Sequence, residues 1–317
     1  MRCCRRFLFT VIIAACSQLS SAQHADSLLL SELEGDLSFS DSLSIFYLID
    51  SLLQQGDLNV SQIALRLSYN SNVLSTGRTL GIENFGLSPG VSYYHKTGLF
   101  ADVSGFWSHN FDPSYYLTVV SLGYMRDLSK YFSVMAGYDR YFYGVDDNHY
   151  IPYKNSLSVT PAFDVKPFGI STTYSFYFGD ARAHRIMPGI NAVLEKRKFL
   201  KLNRIAITPA FFILMGNETI TELEYVAPKT GGEAIQNFKR FGTRYSLVEH
   251  NKNVFGVMNY ALSIPLSISH KNWAFSFSYT YNIPKALPGE PLTISESSYL
   301  SGSLTYFLDH KRNKLAL

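Results

Sequence analysis

Between Ser156 and Val165 apolar and small or polar residues alternate without a break. Leu157, Val159, Pro161, Phe163 and Val165 share one face, and Ser156, Ser158, Thr160, Ala162 and Asp164 share the other. A period of two belongs to an extended chain, whose successive side chains point to opposite sides. Residues 168–178 repeat the pattern, setting Phe168, Ile170, Thr172, Tyr174, Phe176 and Phe178 against Gly169, Ser171, Thr173, Ser175 and Tyr177. Residues 273–282 repeat it again, with Trp273, Phe275, Phe277, Tyr279 and Tyr281 on the apolar side. Such strands must lie between two unlike surroundings.

Weaker versions occur near 62–70, 88–95, 99–107, 116–126, 132–142, 186–195, 204–214, 257–269 and 298–308, giving twelve candidate strands. Ten and fourteen are the neighbouring even counts. Most segments reach the roughly 9–11 residues that a tilted transmembrane strand needs, whereas soluble strands are commonly about 5–6. The connections alternate in length. Long ones fall near 71–87, 108–115, 143–155, 179–185, 215–256 and 283–297. Short ones are 95–98, 127–130, 166–167, about 197–203 and 270–272. That alternation places every short turn at one end of the sheet and returns both termini to that end, as in a closed antiparallel barrel. The short turns are also basic, with Lys96, Lys130, Lys166, Lys196, Arg197, Lys198, Lys201 and Lys271.

The chain opens differently. Arg2, Arg5 and Arg6 precede a short apolar run, Phe7 to Ala15, and Ser20-Ser21-Ala22 offers small residues for cleavage before Gln23. This reads as a signal peptide over 1–22. Ile13-Ala14-Ala15-Cys16 also resembles a lipobox, which leaves lipidation at Cys16 as the alternative. Cys3, Cys4 and Cys16 are the only cysteines, so cleavage after Ala22 leaves a mature chain without disulfides. Within 23–57, Ser40-Asp41 looks like an N-cap ahead of Leu43, Phe46, Leu48, Ile49, Leu52 and Leu53, with Gly56 placed to end the helix. That segment suits either a plug for the barrel or a helix packed on a neighbouring surface.

Charged residues make up only 17% of the chain and the net charge is +3, too little and too scattered for a nucleic-acid partner. After the leader no apolar run approaches the roughly 20 residues of a membrane-spanning helix.

Together these features resemble small outer-membrane β-barrel proteins of Gram-negative bacteria, over roughly residues 58–308. The last strand, Ser298 to Leu308, is similar to the aromatic-rich terminal strand of that family, with Tyr306 and Phe307 near its end. The resemblance implies outer-membrane lipid and lipopolysaccharide as surroundings and the barrel-assembly machinery as a partner in biogenesis. A polar tail, 309–317, departs from the family's terminal aromatic residue. Pro89, Pro161, Pro188 and Pro209 recur in similar settings, and proline inside a ladder suggests bulges there.

No constellation points to catalysis. Ser108-His109 is the nearest thing to a serine–histidine pair, and adjacency gives no hydrogen-bond geometry. The histidines lack ligand spacing, so neither metal nor cofactor is expected. Asp146-Asp147-Asn148 lacks the spacing of an EF-hand, and Gly231-Gly232 reads as a turn. The inward register carries the candidate site residues Arg66, Asp102, Asp139, Asp164 and Glu195, set among Ser, Thr, Gly and Ala. They suit a polar conduit or, equally, an internal ion-pair network. The expected function is a passive pore for small polar solutes. The alternatives are a structural or surface-interaction barrel with a closed lumen and, third, a barrel enzyme acting on lipid.

Overall fold

The computed structural model describes residues 61–71, 86–109, 113–144, 153–199, 201–289 and 295–308. The signal peptide, the helical segment 23–57, most of the connection 71–87, Asp146-Asp147-Asn148 and the tail 309–317 lie outside these residues. Within them the chain is almost entirely extended. The strands are β1 (Gln62–Asn70), β2 (Gly86–Tyr94), β3 (Leu99–Trp107), β4 (Tyr115–Asp127), β5 (Phe132–Tyr143), β6 (Asn155–Val165) and β7 (Phe168–Phe178). There follow β8 (Arg182–Ala192), β9 (Leu194–Phe199), β10 (Leu202–Ile207), β11 (Ala210–Val226), the helix α1 (Gly231–Phe241), β12 (Ser246–His270), β13 (Trp273–Pro284) and β14 (Ser297–Leu308).

β8 and β9 are one wall strand interrupted at Val193, and β10 and β11 are another, interrupted at Thr208-Pro209. Every neighbour pairs antiparallel. β1 pairs with β14, and β12 pairs with both β10 and β11, so the sheet meets itself in a closed barrel of twelve strands. Closure removes the edges of the barrel wall, while β9 beyond the β6–β7 turn and the outer part of the β11–β12 hairpin extend past it with one partner each.

The prolines do not mark bulges. Pro89 stays in register with Leu67, Pro161 with Val134 and Pro188 with Thr172. On its other side each leaves a short gap in the ladder, and the register is the same on both sides of the gap. A missing N–H removes one bond without adding a residue, so the strand need not slip. The register shifts lie elsewhere, between Phe106 and Trp107 and between Leu214 and Met215.

The short connections gather at one end, the turn end, with Gln62 and Leu308. The opposite, loop end differs from expectation in two places. β7 and β8 are joined by Gly179-Asp180-Ala181 alone, so 179–185 is not a long connection. The expected loop 215–256 is mostly a continuation of β11 and β12 in register, capped by α1. Thr230 caps that helix, accepting from the Glu233 amide at 3.3 Å, while the Glu233 carboxylate accepts from the Lys229 amide at 2.9 Å. Gly242, at φ 69°, ends it in the left-handed region. Gly231-Gly232 is therefore the first turn of a helix, not a free turn.

The wall sorts its side chains by face. Outward are Leu65, Val91, Val103, Leu157, Ile190 and Leu304, all exposed. A closed sheet that leaves Ile190 55% and Val103 47% exposed has an apolar exterior. Such an exterior suits hydrocarbon, not water. Aromatic side chains flank the aliphatic band at both ends: Tyr93, Tyr124, Phe168 and Trp273 toward the turns, and Tyr69, Tyr115, Phe142 and Tyr279 toward the loops. This is the aromatic girdle of a membrane-spanning barrel.

Candidate functional site

The inward face is the natural candidate site. Its central band is polar and small, because the alternation that sends Val, Leu and Phe outward sends Ser, Thr, Asn and Gly inward. Ser263 contacts Ser278 at 3.0 Å and Thr280 at 3.1 Å, Asn259 donates to Asn282 at 3.0 Å, and Thr160 meets Thr173 at 3.0 Å. These are cross-strand contacts between neighbouring staves.

The charged residues form separate groups. Arg66 on β1 passes over β2 to reach β3. Its Nη2 donates to Ser104 Oγ at 2.6 Å and lies 3.3 Å from Asp102 Oδ2. Ser92 and Ser104 also donate to the Asp102 carboxylate, the latter at 2.6 Å. Gly90 makes the crossing possible. A Cβ there would stand 3.0 Å from Arg66 Nη2 and 2.9 Å from Ser104 Oγ. Arg66 and Asp102 are both buried.

Asp139 lies in the same cross-strand row, separated from Asp102 by Ser121 on β4. It accepts from Ser156 Oγ at 2.7 Å, and Ser156 accepts from Tyr141 at 3.2 Å. Asp164, at the turn end of β6, is exposed beside Gly169 and Asn191. Glu195, on β9, accepts from Arg204 Nε at 2.7 Å, with Lys166 and Arg197 each at 3.4 Å. The five sequence candidates thus stand at three levels of the barrel and do not converge on one site.

Two inward cations were not among them. Arg204 is nearly buried against Glu195, and Arg185 donates to Glu218 Oε2 at 2.7 Å and to the Asn217 carbonyl. Arg185 lies across Gly216, where a Cβ would meet its Cδ at 2.5 Å.

Toward the loop end the inward face turns apolar, which the expected polar lining did not include. One cluster joins Phe106, Leu117, Val119, Tyr141, Tyr177 and Ala183. The other joins Met187, Leu214, Val254, Met258 and Ala261 to Leu287, which comes from the β13–β14 connection. Leu287 rests on Gly256, where a Cβ would stand 2.9 Å from its Cδ2. The Lys285 amide donates to the Met258 carbonyl at 2.9 Å and ties that connection to the wall. The segment folded into the mouth therefore follows β13, and is not the long β11–β12 hairpin. Leu117, Met258 and Leu287 are at most 2% exposed.

Ser108 is fully buried and the His109 ring stacks on Trp107 with centroids 6.5 Å apart. Among the described residues no three His, Cys, Asp or Glu side chains are grouped to hold a metal.

No family model matches the sequence, and no curated protein matches it. Solved structures do show likeness. A KdgM porin is 12% identical with a TM-score of 0.41, covering 78% of this chain and 98% of that one. A NanC porin is 11% identical with a TM-score of 0.40, covering 77% and 98%. OprD of Pseudomonas aeruginosa is 10% identical with a TM-score of 0.32, covering 78% and 66%. The barrel assignment rests on the closed ladder of this chain itself.

Proposed function

We propose that this chain is an outer-membrane barrel through which small polar solutes pass passively. The observation that supports the reading is the polar, small-residue inward band, enclosed by a wall whose exterior is apolar. Barrels of about eight strands are filled by their side chains, and those of about 16–18 hold an aqueous channel. At twelve strands the lining residues decide. Here the central lining offers hydroxyls, amides and paired charges, buried against one another, so a passing solute must displace these contacts one at a time. With short turns toward the periplasm, the α1 hairpin and the Leu287 segment face outward. The reading assigns no chemical step to the protein.

A second reading is favoured by one observation. Leu117, Met258 and Leu287 are packed where a conduit would open. On that reading the barrel is structural and its lumen closed.

Two measurements test the proposal. Heat-modifiable gel mobility in the outer-membrane fraction tests the location, and a soluble protein without a shift would overturn it. Single-channel recording in planar bilayers, with and without residues 23–56, tests the pore. Discrete steps from either form support it. Silence from both leaves the closed barrel standing.

A further inference from the structure

The lipid-facing wall is not evenly filled. Near the turn end of β2 to β6 it contains a groove of about 730 Å3. The cause lies in the register. The row Tyr93–Ala101–Leu122 crosses β2, β3 and β4, and the next row sets Ala136 beside Tyr124. Two alanines thus stand diagonally among large neighbours, and their missing bulk leaves a furrow bordered by Tyr93, Leu122, Tyr124 and Leu157. These four border residues are exposed.

We infer that this groove is a preferred site for one acyl chain of an anionic glycerophospholipid. The surface is continuous with the apolar belt, so what fills it is hydrocarbon. An extended chain segment fits an open-sided apolar furrow. The polar end is supplied at the same place. His95 borders the groove at the turn end. Lys96 follows it in the β2–β3 turn, and Arg126 continues the outward face two residues beyond Tyr124; both are exposed. Cations at headgroup level attract anionic lipid. The acyl chain would lie against Ala101 and Ala136 while the phosphate meets Arg126 and Lys96.

The test is native mass spectrometry of the full barrel released from a neutral detergent, titrated with phosphatidylglycerol and, separately, with phosphatidylcholine. Wild type should retain one phosphatidylglycerol adduct at activation energies that strip the others. Ala101→Leu with Ala136→Leu fills the furrow and should weaken that adduct about tenfold, the change expected when roughly two methylenes lose their contact. Arg126→Gln with Lys96→Gln should abolish the preference for phosphatidylglycerol over phosphatidylcholine while leaving acyl binding. Ile264→Leu, outward on β12, a strand that does not line the groove, should change nothing. Heat-modifiable mobility checks that each variant is folded; a double-leucine variant that does not fold is replaced by Ala136→Leu alone. Equal adduct retention in wild type and the groove-filled variant overturns the proposal. So does equal retention of the two lipids by wild type.

Discussion

Arg66 and Asp102 form a buried ion pair across an intervening strand. Nη2 and Oδ2 are 3.3 Å apart, and Gly90 supplies the space between them. Neither side chain is more than 4% exposed, so each depends on the other for compensation. Removing one partner leaves a charge with no counterion in a low-dielectric wall. Asp102→Ala should therefore destabilise the folded barrel by about 3–5 kcal/mol, and Arg66→Met by a similar amount. The double variant should recover most of that loss, because the pair's own net contribution is small. Urea unfolding in detergent micelles, run as a double-mutant cycle, reads both quantities. Additive losses would mean that the two residues act independently.

A second guanidinium depends on a glycine in the same way. Gly216→Ala would put a methyl 2.5 Å from Arg185 Cδ and 2.8 Å from the His184 carbonyl oxygen. The backbone oxygen cannot yield as a side-chain tip can, so the strand or Arg185 must move. We expect a loss of about 1–3 kcal/mol from overpacking. Glu218→Gln should cost less, because that carboxylate is 36% exposed and solvent screens it. The ranking of the two variants in unfolding experiments is the check.

The faces of the wall should respond oppositely to charge. Val103 is outward and pairs with Val91 and Val120 near the middle of the wall. Val103→Arg should cost roughly 2–4 kcal/mol in a bilayer, the expense of a cation at the midplane. The inward neighbour Ser104→Lys adds a second cation beside Arg66, but one that can meet the Asp102 carboxylate, so it should cost less than the lipid-facing arginine. Refolding yield into lipid vesicles, compared for the two variants, separates a lipid-facing position from a lumen-facing one.

How the sequence exposed the fold follows from what its alternation encodes. The β6 and β7 periods, Leu157 to Val165 and Phe168 to Phe178, name the two faces directly, and both faces are as read. The barrel count was legible because most connections alternate in length between the two ends, Gly179-Asp180-Ala181 being the one loop-end connection as short as a turn. The arrangement within the lumen was less so. Arg66, Asp102 and Glu195 could be placed inward by parity, yet nothing local says that Arg66 crosses Gly90 or that Glu195 gathers three cations, since those contacts depend on cross-strand register. The apolar loop end left a trace. At Tyr115 to Val120 and Tyr141 to Tyr143 the alternation fails because both faces are apolar. α1 also left one, in the Thr230 and Glu233 spacing of a capping box. Leu287 left none, because a leucine within a connection carries no period.

Leu287 gives the pore reading its sharpest test. It is 2% exposed and packs on Met187, Leu214 and Met258 at the loop end, held over Gly256. Leu287→Ser removes the buried apolar side chain that the described part of that connection contributes and leaves the wall intact. Gly256→Ala acts from the other side, since its Cβ would stand 2.9 Å from Leu287 Cδ2 and push the side chain off the wall. If the segment narrows a conduit, both variants raise single-channel conductance, and the serine variant raises it more because it removes bulk outright. Stability should fall by about 2–5 kcal/mol for the serine variant, the cost of deleting a buried leucine side chain. A barrel that stays silent in both variants, while still folded by heat-modifiable mobility, has its lumen shut below Leu287. The apolar packing at Leu117 and Val119 would then be the seal, and passive transport would be excluded as its function.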